Sequence, residues 1–140
     1  VTLIDTGPLV ALVDKADKEN HGKCTAAFRA LKTPPLTTWP CFTEALYFLG
    51  GIRGWDSQAR LWQFIERGAM LLHIPNPDEW QRVRDLMEKY KDTPMDFADA
   101  SLVSLAELRG LKRILTLDSD FNIYRVRGKD SFEVIPLDSL

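Results

Sequence analysis

The chain has 140 residues, 45% of them hydrophobic and 27% charged, with a formal net charge of -2 and a pI near 5.7. These values suit one globular domain with its own core, residues 1–140. They exclude a protein that gathers nucleic acid by a global basic field, so such a partner would need a local patch. No apolar run approaches the roughly 20 residues that span a bilayer, and no basic n-region precedes Asp5. Cys24 and Cys41 lack metal-ligand spacing and are too few for a disulfide framework. Free thiols, a cytoplasmic location and no membrane partner are therefore expected.

The elements alternate along the chain. Residues 2–5 read as a buried strand, and Pro8 to Asp14 as a short helix with proline in its first turn. Residues 18–32 place Cys24, Ala27, Phe28 and Leu31 at helical spacing, and Pro34-Pro35 stop them. LTTW, 36–39, reads as a strand, and Pro40 to Arg53 as a helix with Phe42, Ala45, Leu46 and Leu49 as its stripe. Gly54 weakens its end. Asp56 or Ser57 then caps a helix running to Arg67. MLLHI, 70–74, is strand-like. Pro77 to Lys91 predict an amphipathic helix with Trp80, Val83, Leu86, Met87 and Tyr90 inward. Phe97 to Leu108 form an apolar helix closed by Gly110. RILTL, 113–117, and FEVI, 132–135, supply the last strands. Strands alternating with helices imply right-handed crossovers and a parallel sheet. The expectation is a three-layer α/β/α sandwich with about five strands. Ligands bind such sheets outside the carboxyl ends of the strands, at the switch point.

Several acids stand out of place. VTLI ends on Asp5, and ILTL ends on Asp118 in the same manner. The plainer role for Asp118 is to cap the turn in DSDF, where Asp120 also sits. In MDFADASLVSLAE, Asp99 shares a helical face with Leu102, Val103 and Ala106. That face is apolar, so Asp99 should point into the core or a cleft. Asp96 lies one turn earlier and suits a helix N-cap equally well. Glu44 has Cys41, Tyr47 and Phe48 as helical neighbours, which places it at an edge or in a site. If these acids gather in one cleft, each close pair costs about 4 kcal/mol at an effective dielectric near 20. Raised pKa values or a bound cation must relieve that repulsion. Oxygen-only donors without His or Cys suit a hard ion such as Mg²⁺ or Mn²⁺. The matching chemistry is phosphodiester hydrolysis.

The segments VTLIDTGPLVALVD, FTEALYFLG, PMDFADASLVSLAE and ILTLDSDF resemble, in order and spacing, the four acidic motifs of the PIN domain family. They are most similar to the VapC-type ribonuclease toxins. Each motif alone is weak, but the ordered set covers nearly the whole chain. The resemblance implies a parallel sheet in the order 3-2-1-4-5 and an endoribonuclease dependent on Mg²⁺ or Mn²⁺. It also implies a homodimer held in check by a cognate antitoxin. Carried over by motif, the catalytic and metal-binding acids are Asp5, Glu44, Asp99 and Asp118, with Asp96 as an auxiliary catalytic acid. Thr6 and Thr116 hold the small-hydroxyl positions beside them and are expected to meet substrate.

RNA needs cations near an acidic cleft. Arg109, Lys112, Arg113, Arg125, Arg127 and Lys129 cluster near the fourth motif, and Arg113 is the candidate for phosphate contact. Ordinary surface charge accounts for the cluster about as well. Arg60 and Arg67 share a helix face that solvent explains, and Arg53 is cut off by Gly54. Trp55 and Trp62 suit core or dimer contacts better than base stacking. His21 and His73 read as structural. The rivals to cleavage are a PIN-like module that binds RNA or a partner without turnover, a housekeeping RNA-processing nuclease, a phosphatase using Asp5 as nucleophile, and a purely structural domain. The phosphatase needs an Asp two residues after Asp5, where Gly7 stands. A structural domain leaves the acids on apolar faces unexplained.

Overall fold

The computed structural model describes residues 1–137. Strand β1 (Leu3–Ile4) leads into helices α1 (Thr6–Val13) and α2 (Lys18–Ala30). Strand β2 (Leu36–Thr38) leads into α3 (Trp39–Arg53) and α4 (Trp55–Glu66), and β3 (Leu71–His73) into α5 (Trp80–Lys89) and α6 (Phe97–Arg109). After β4 (Arg113–Leu115) come a 3-10 turn at Ser119–Asn122, the strands β5 (Arg125–Val126) and β6 (Asp130–Ser131), and finally β7 (Glu133–Val134).

Five strands form one parallel sheet in the order β3-β2-β1-β4-β7. Counting strands of that sheet alone, this is the expected 3-2-1-4-5. Right-handed crossovers carry β1 to β2 to β3 in one direction and then back to β4 in the other. They put α1–α4 on one face and α5–α6 on the opposite face. The reversal lies between β1 and β4, and their carboxyl ends deliver Asp5 and the segment bearing Asp118. Leu3, Ile4, Ile114 and Leu115 at this junction are fully buried.

Helix boundaries follow local chemistry. Thr38 caps α3 by accepting from the Cys41 N–H at 3.3 Å, with Pro40 in the first turn. Gly110, at φ 65°, supplies the left-handed residue that ends α6. Gly54, at φ 57°, breaks α3 from α4 as the sequence indicated.

Two expectations need correction. Helix α5 begins at Trp80 rather than Pro77, and only Val83 and Leu86 of its expected stripe are buried. Trp80 is 62% exposed. The antiparallel pair β5–β6 was not foreseen. Its turn residues Arg127 and Gly128 both have positive φ, 54° and 71°, as primed turns require. Arginine at such a position carries no sequence signal, because other interactions hold it there. The Arg127 N–H donates to Glu107 Oε2 at 2.8 Å, and its guanidinium donates to the Glu107 carbonyl at 2.8 Å.

Candidate metal centre

Three of the expected acids converge. Asp5, Asp99 and Asp118 each offer a carboxylate oxygen within 4.8 Å of the others. They line a cleft of about 400 Å³ together with Thr6, Glu44 and Asp96, and no lysine or arginine lies among its lining residues.

Each acid is aimed by a turn. Asp5 is the N-cap of α1, and its Oδ1 accepts from the Thr6 N–H at 2.7 Å. The Thr116 hydroxyl donates to Asp5 Oδ2 at 2.7 Å and accepts the Asp118 N–H at 2.9 Å. Thr116 thus ties the ends of two neighbouring strands together. Asp118 also caps the 3-10 turn, accepting from the Asp120 N–H at 2.9 Å. The capping role and the site role coexist in one residue. Asp96 and Asp99 form a reciprocal capping box at the start of α6. Tyr124, buried among Phe121 and Tyr90, donates its hydroxyl to Asp99 Oδ2 at 3.3 Å.

The electrostatics follow from this crowding. Burial lifts the Asp5 pKa to about 6; its hydrogen bonds with Thr116 and Thr6 oppose the shift, and the charges of Asp118 and Asp96 add to it. Burial, then the charges of Asp96 and Asp5, push Asp99 up to about 8. The tyrosine beside it is driven higher still, by burial and by Asp99. Cys41 is fully buried with its Sγ 3.8 Å from Asp5 Oδ1, and burial raises its pKa as well. It is an inert wall of the site, not a nucleophile.

The remaining predicted residues sort differently. Glu44 lines the cleft but lies outside the close triad, and it is half-buried. Of its expected enclosing neighbours only Cys41 is buried; Tyr47 is 78% exposed and Phe48 50%. The i+3 and i+4 positions face solvent here because the buried stripe of α3 runs through Cys41, Phe42, Ala45 and Leu49. Thr6 lines the cleft, and its buried hydroxyl has no hydrogen-bond partner among the described residues. Thr116 is not among the residues that line the cleft, and its hydroxyl is engaged by Asp5 and the Asp118 N–H. Arg113 does not line the cleft either. It starts β4, at the end of the strand away from Asp118, and its Nε lies 4.0 Å from Glu133. Lys112 pairs with Asp130 at 3.6 Å, and Arg125 turns its guanidinium onto the carbonyls of Asn122, Ile123 and Tyr124. Asp120 does not line the cleft and serves the turn through its backbone. His21 bonds the Ala11 carbonyl at 2.7 Å, a packing role as expected. Trp62 stacks edge-on against Phe42 in the core, and Cys24 and Cys41 are free buried thiols.

The PIN domain family model matches residues 2–128. The chain belongs to the PIN domain family. Over 136 residues it is 29% identical to ribonuclease VapC26 of Mycobacterium tuberculosis, covering 96% of this chain and 99% of that protein. The fold is shared with M. tuberculosis VapC20, described as a sarcin–ricin loop cleaving toxin, at a TM-score of 0.80 and 15% identity over 88% of this chain and 94% of that one. It is shared also with a toxin–antitoxin complex from Klebsiella pneumoniae, at a TM-score of 0.68 and 16% identity over the full length of both chains. Among the described residues, no helix is long and apolar enough to cross a membrane.

Proposed function

We infer that this PIN domain, a single unit over 1–140, is a metal-dependent endoribonuclease of the VapC type and the toxin of a toxin–antitoxin pair. One observation carries the reading. Three carboxylates from distant parts of the chain stand within 4.8 Å of one another, in a cleft whose lining holds no cationic side chain. Holding them together without a cation is costly. The donor set is all oxygen, and the unpartnered Thr6 hydroxyl adds a further polar group. Both features fit a hard divalent ion, Mg²⁺ or Mn²⁺. Asp5, Asp99 and Asp118 would hold it, with Glu44 on the rim. When bound, such an ion polarises phosphate oxygen and lowers the pKa of water.

The chain's own residues do the rest. Thr116 and the Thr6 N–H keep Asp5 oriented, and Tyr124 does the same for Asp99. Glu44 and Asp96, on the cleft rim, orient the attacking water and take up its proton. Water attacks phosphorus in line, the P–O3′ bond breaks, the departing 3′ oxygen takes a proton from solvent to become a hydroxyl, and a 5′-phosphate remains on the other fragment. The likeness to VapC26, and to a chain solved in a toxin–antitoxin complex, supports a cognate protein inhibitor as partner. The exposed Tyr47, Ile52 and Trp55 along α3 and the start of α4 offer apolar surface for that inhibitor or for a second copy of the chain.

The test is cleavage of single-stranded RNA by wild type and Asp5→Asn, in Mg²⁺ and in EDTA. Cleavage by wild type in Mg²⁺ alone, with a loss of at least about a hundredfold in the variant, is expected. Equal cleavage in EDTA and Mg²⁺ would sink the reading, and metal binding without turnover would make the chain a binding module.

A further inference from the structure

Beside the acidic cleft lies a second cavity, of about 300 Å³, between the start of α3, the segment joining β3 to α5, and α6. That volume is in the range of small-molecule pockets. Its walls are aromatic: Trp39, Trp80 and Phe97 line it and are 46%, 62% and 56% exposed. Its polar groups are few. His73 Nε2 lies 2.9 Å from Glu79 Oε1. Ser104 is buried and lines the cavity. No lysine or arginine lines the space. A trough of about 620 Å³ joins it to the cleft. The trough shares Trp39 and Phe97 with the cavity, and Glu44, Phe48 and Asp96 with the cleft.

We propose that this cavity seats an unstacked nucleobase from a nucleotide flanking the cut, and so sets where the RNA is cleaved. The inference rests on the reading of the acidic cleft as an RNA-cleaving site. A nucleobase has flat aromatic faces and a polar edge, and single-stranded RNA is recognised by stacking the faces and hydrogen-bonding the edge. Trp39, Trp80 and Phe97 supply stacking surfaces; Ser104 and the Glu79–His73 pair meet the edge. No lysine or arginine lines the cavity, and its one histidine is already paired with Glu79, so a phosphate there would find no free countercharge. An apolar side chain from a partner would fit the walls but would cover the Ser104 and Asn76 side chains without offering them a hydrogen bond. The trough supplies the path: a strand whose phosphate lies in the cleft runs past Phe48 and Phe97 toward the cavity.

The experiment uses a short single-stranded RNA with a randomised stretch. Its binding is read in EDTA by tryptophan fluorescence, and its cut sites are read in Mg²⁺ by sequencing the products. Wild type should bind in EDTA and show a base preference at one position beside the cut. Trp80→Ala should weaken binding about tenfold, within the usual range for loss of one stacked base, and the loss should fall on KM more than on kcat. Ser104→Ala should change which base is preferred. If both variants keep the wild-type affinity and base preference while RNA is still cut, the subsite is wrong and the nuclease reading stands. If RNA binds in EDTA and Trp80→Ala abolishes that binding, yet wild type never cuts, the subsite stands and the nuclease reading falls. If Trp80→Ala instead halves the mass by light scattering with base preference unchanged, the cavity is a protein interface and the proposal fails.

Discussion

Replacing Asp99 by Asn should stabilise the metal-free protein and abolish its stabilisation by metal. Asp99 is buried, and its pKa of about 8 means the folded chain keeps it protonated at neutral pH. Unfolded, it ionises near 3.9. A folded-state pKa raised in this way gives stability that is full below about pH 4 and is lost progressively as pH rises toward 8, since the unfolded state binds fewer protons there. At pH 7 the gap is about three pH units, or roughly 4 kcal/mol at about 1.4 kcal/mol per unit. Halving that, because neighbouring carboxylates share the strain and the cleft is open to water, leaves about 2 kcal/mol. Asparagine removes the ionisable group yet still offers an oxygen to the Asp96 N–H and the Tyr124 hydroxyl. Its Tm in EDTA at pH 7 should therefore exceed wild type by about 6 °C, and the difference should shrink toward pH 5. Adding Mg²⁺ at a hundred times its Kd should raise wild type by about 2.7 kcal/mol and leave Asp99→Asn unmoved. Scanning calorimetry with and without metal reads both limbs. A variant that is less stable in EDTA, and that gains as much from Mg²⁺ as wild type does, would refute the argument.

Thr116→Val removes a hydroxyl that donates to Asp5 and accepts the Asp118 N–H. It should cost about 2–3 kcal/mol in urea unfolding and weaken Mg²⁺ binding in calorimetric titration. Wild-type affinity in a stably folded variant would show that Asp5 needs no such support. Glu107 accepts from Arg82 Nε at 2.7 Å and from the Arg127 N–H at 2.8 Å. Burial opposes its ionisation, but these partners hold its pKa below the usual range. Because Arg82 is partly exposed, Glu107→Ala should cost only about 1–2 kcal/mol. Hydrogen exchange should rise first in β5–β6, and uniform exchange across the chain would contradict that clamp.

Much of this molecule is local in origin. Asp5, Asp96 and Asp118 cap the elements they precede, and Gly54 and Gly110 end the helices they follow. All but the Asp5 cap can be read from sequence, because each acts within one turn of itself. The alternation of apolar strands with helical stripes dictates the parallel sheet, and the strand order places the switch point beside Asp5. Neighbour-counting failed where burial depends on a distant surface: it misjudged the surroundings of Glu44 on α3 and the stripe of α5. It failed too where a role depends on a long-range partner. Thr116 holds Asp5, Arg113 sits beside Glu133 at the amino end of β4, and Tyr124 reaches Asp99 from 25 positions further along the chain. The β5–β6 hairpin escaped notice because Glu107 on α6 holds its turn. Periodicity and caps act over a few residues and are written in the chain. Which oxygens come within 4.8 Å of one another is decided only when β1, β4 and α6 pack together.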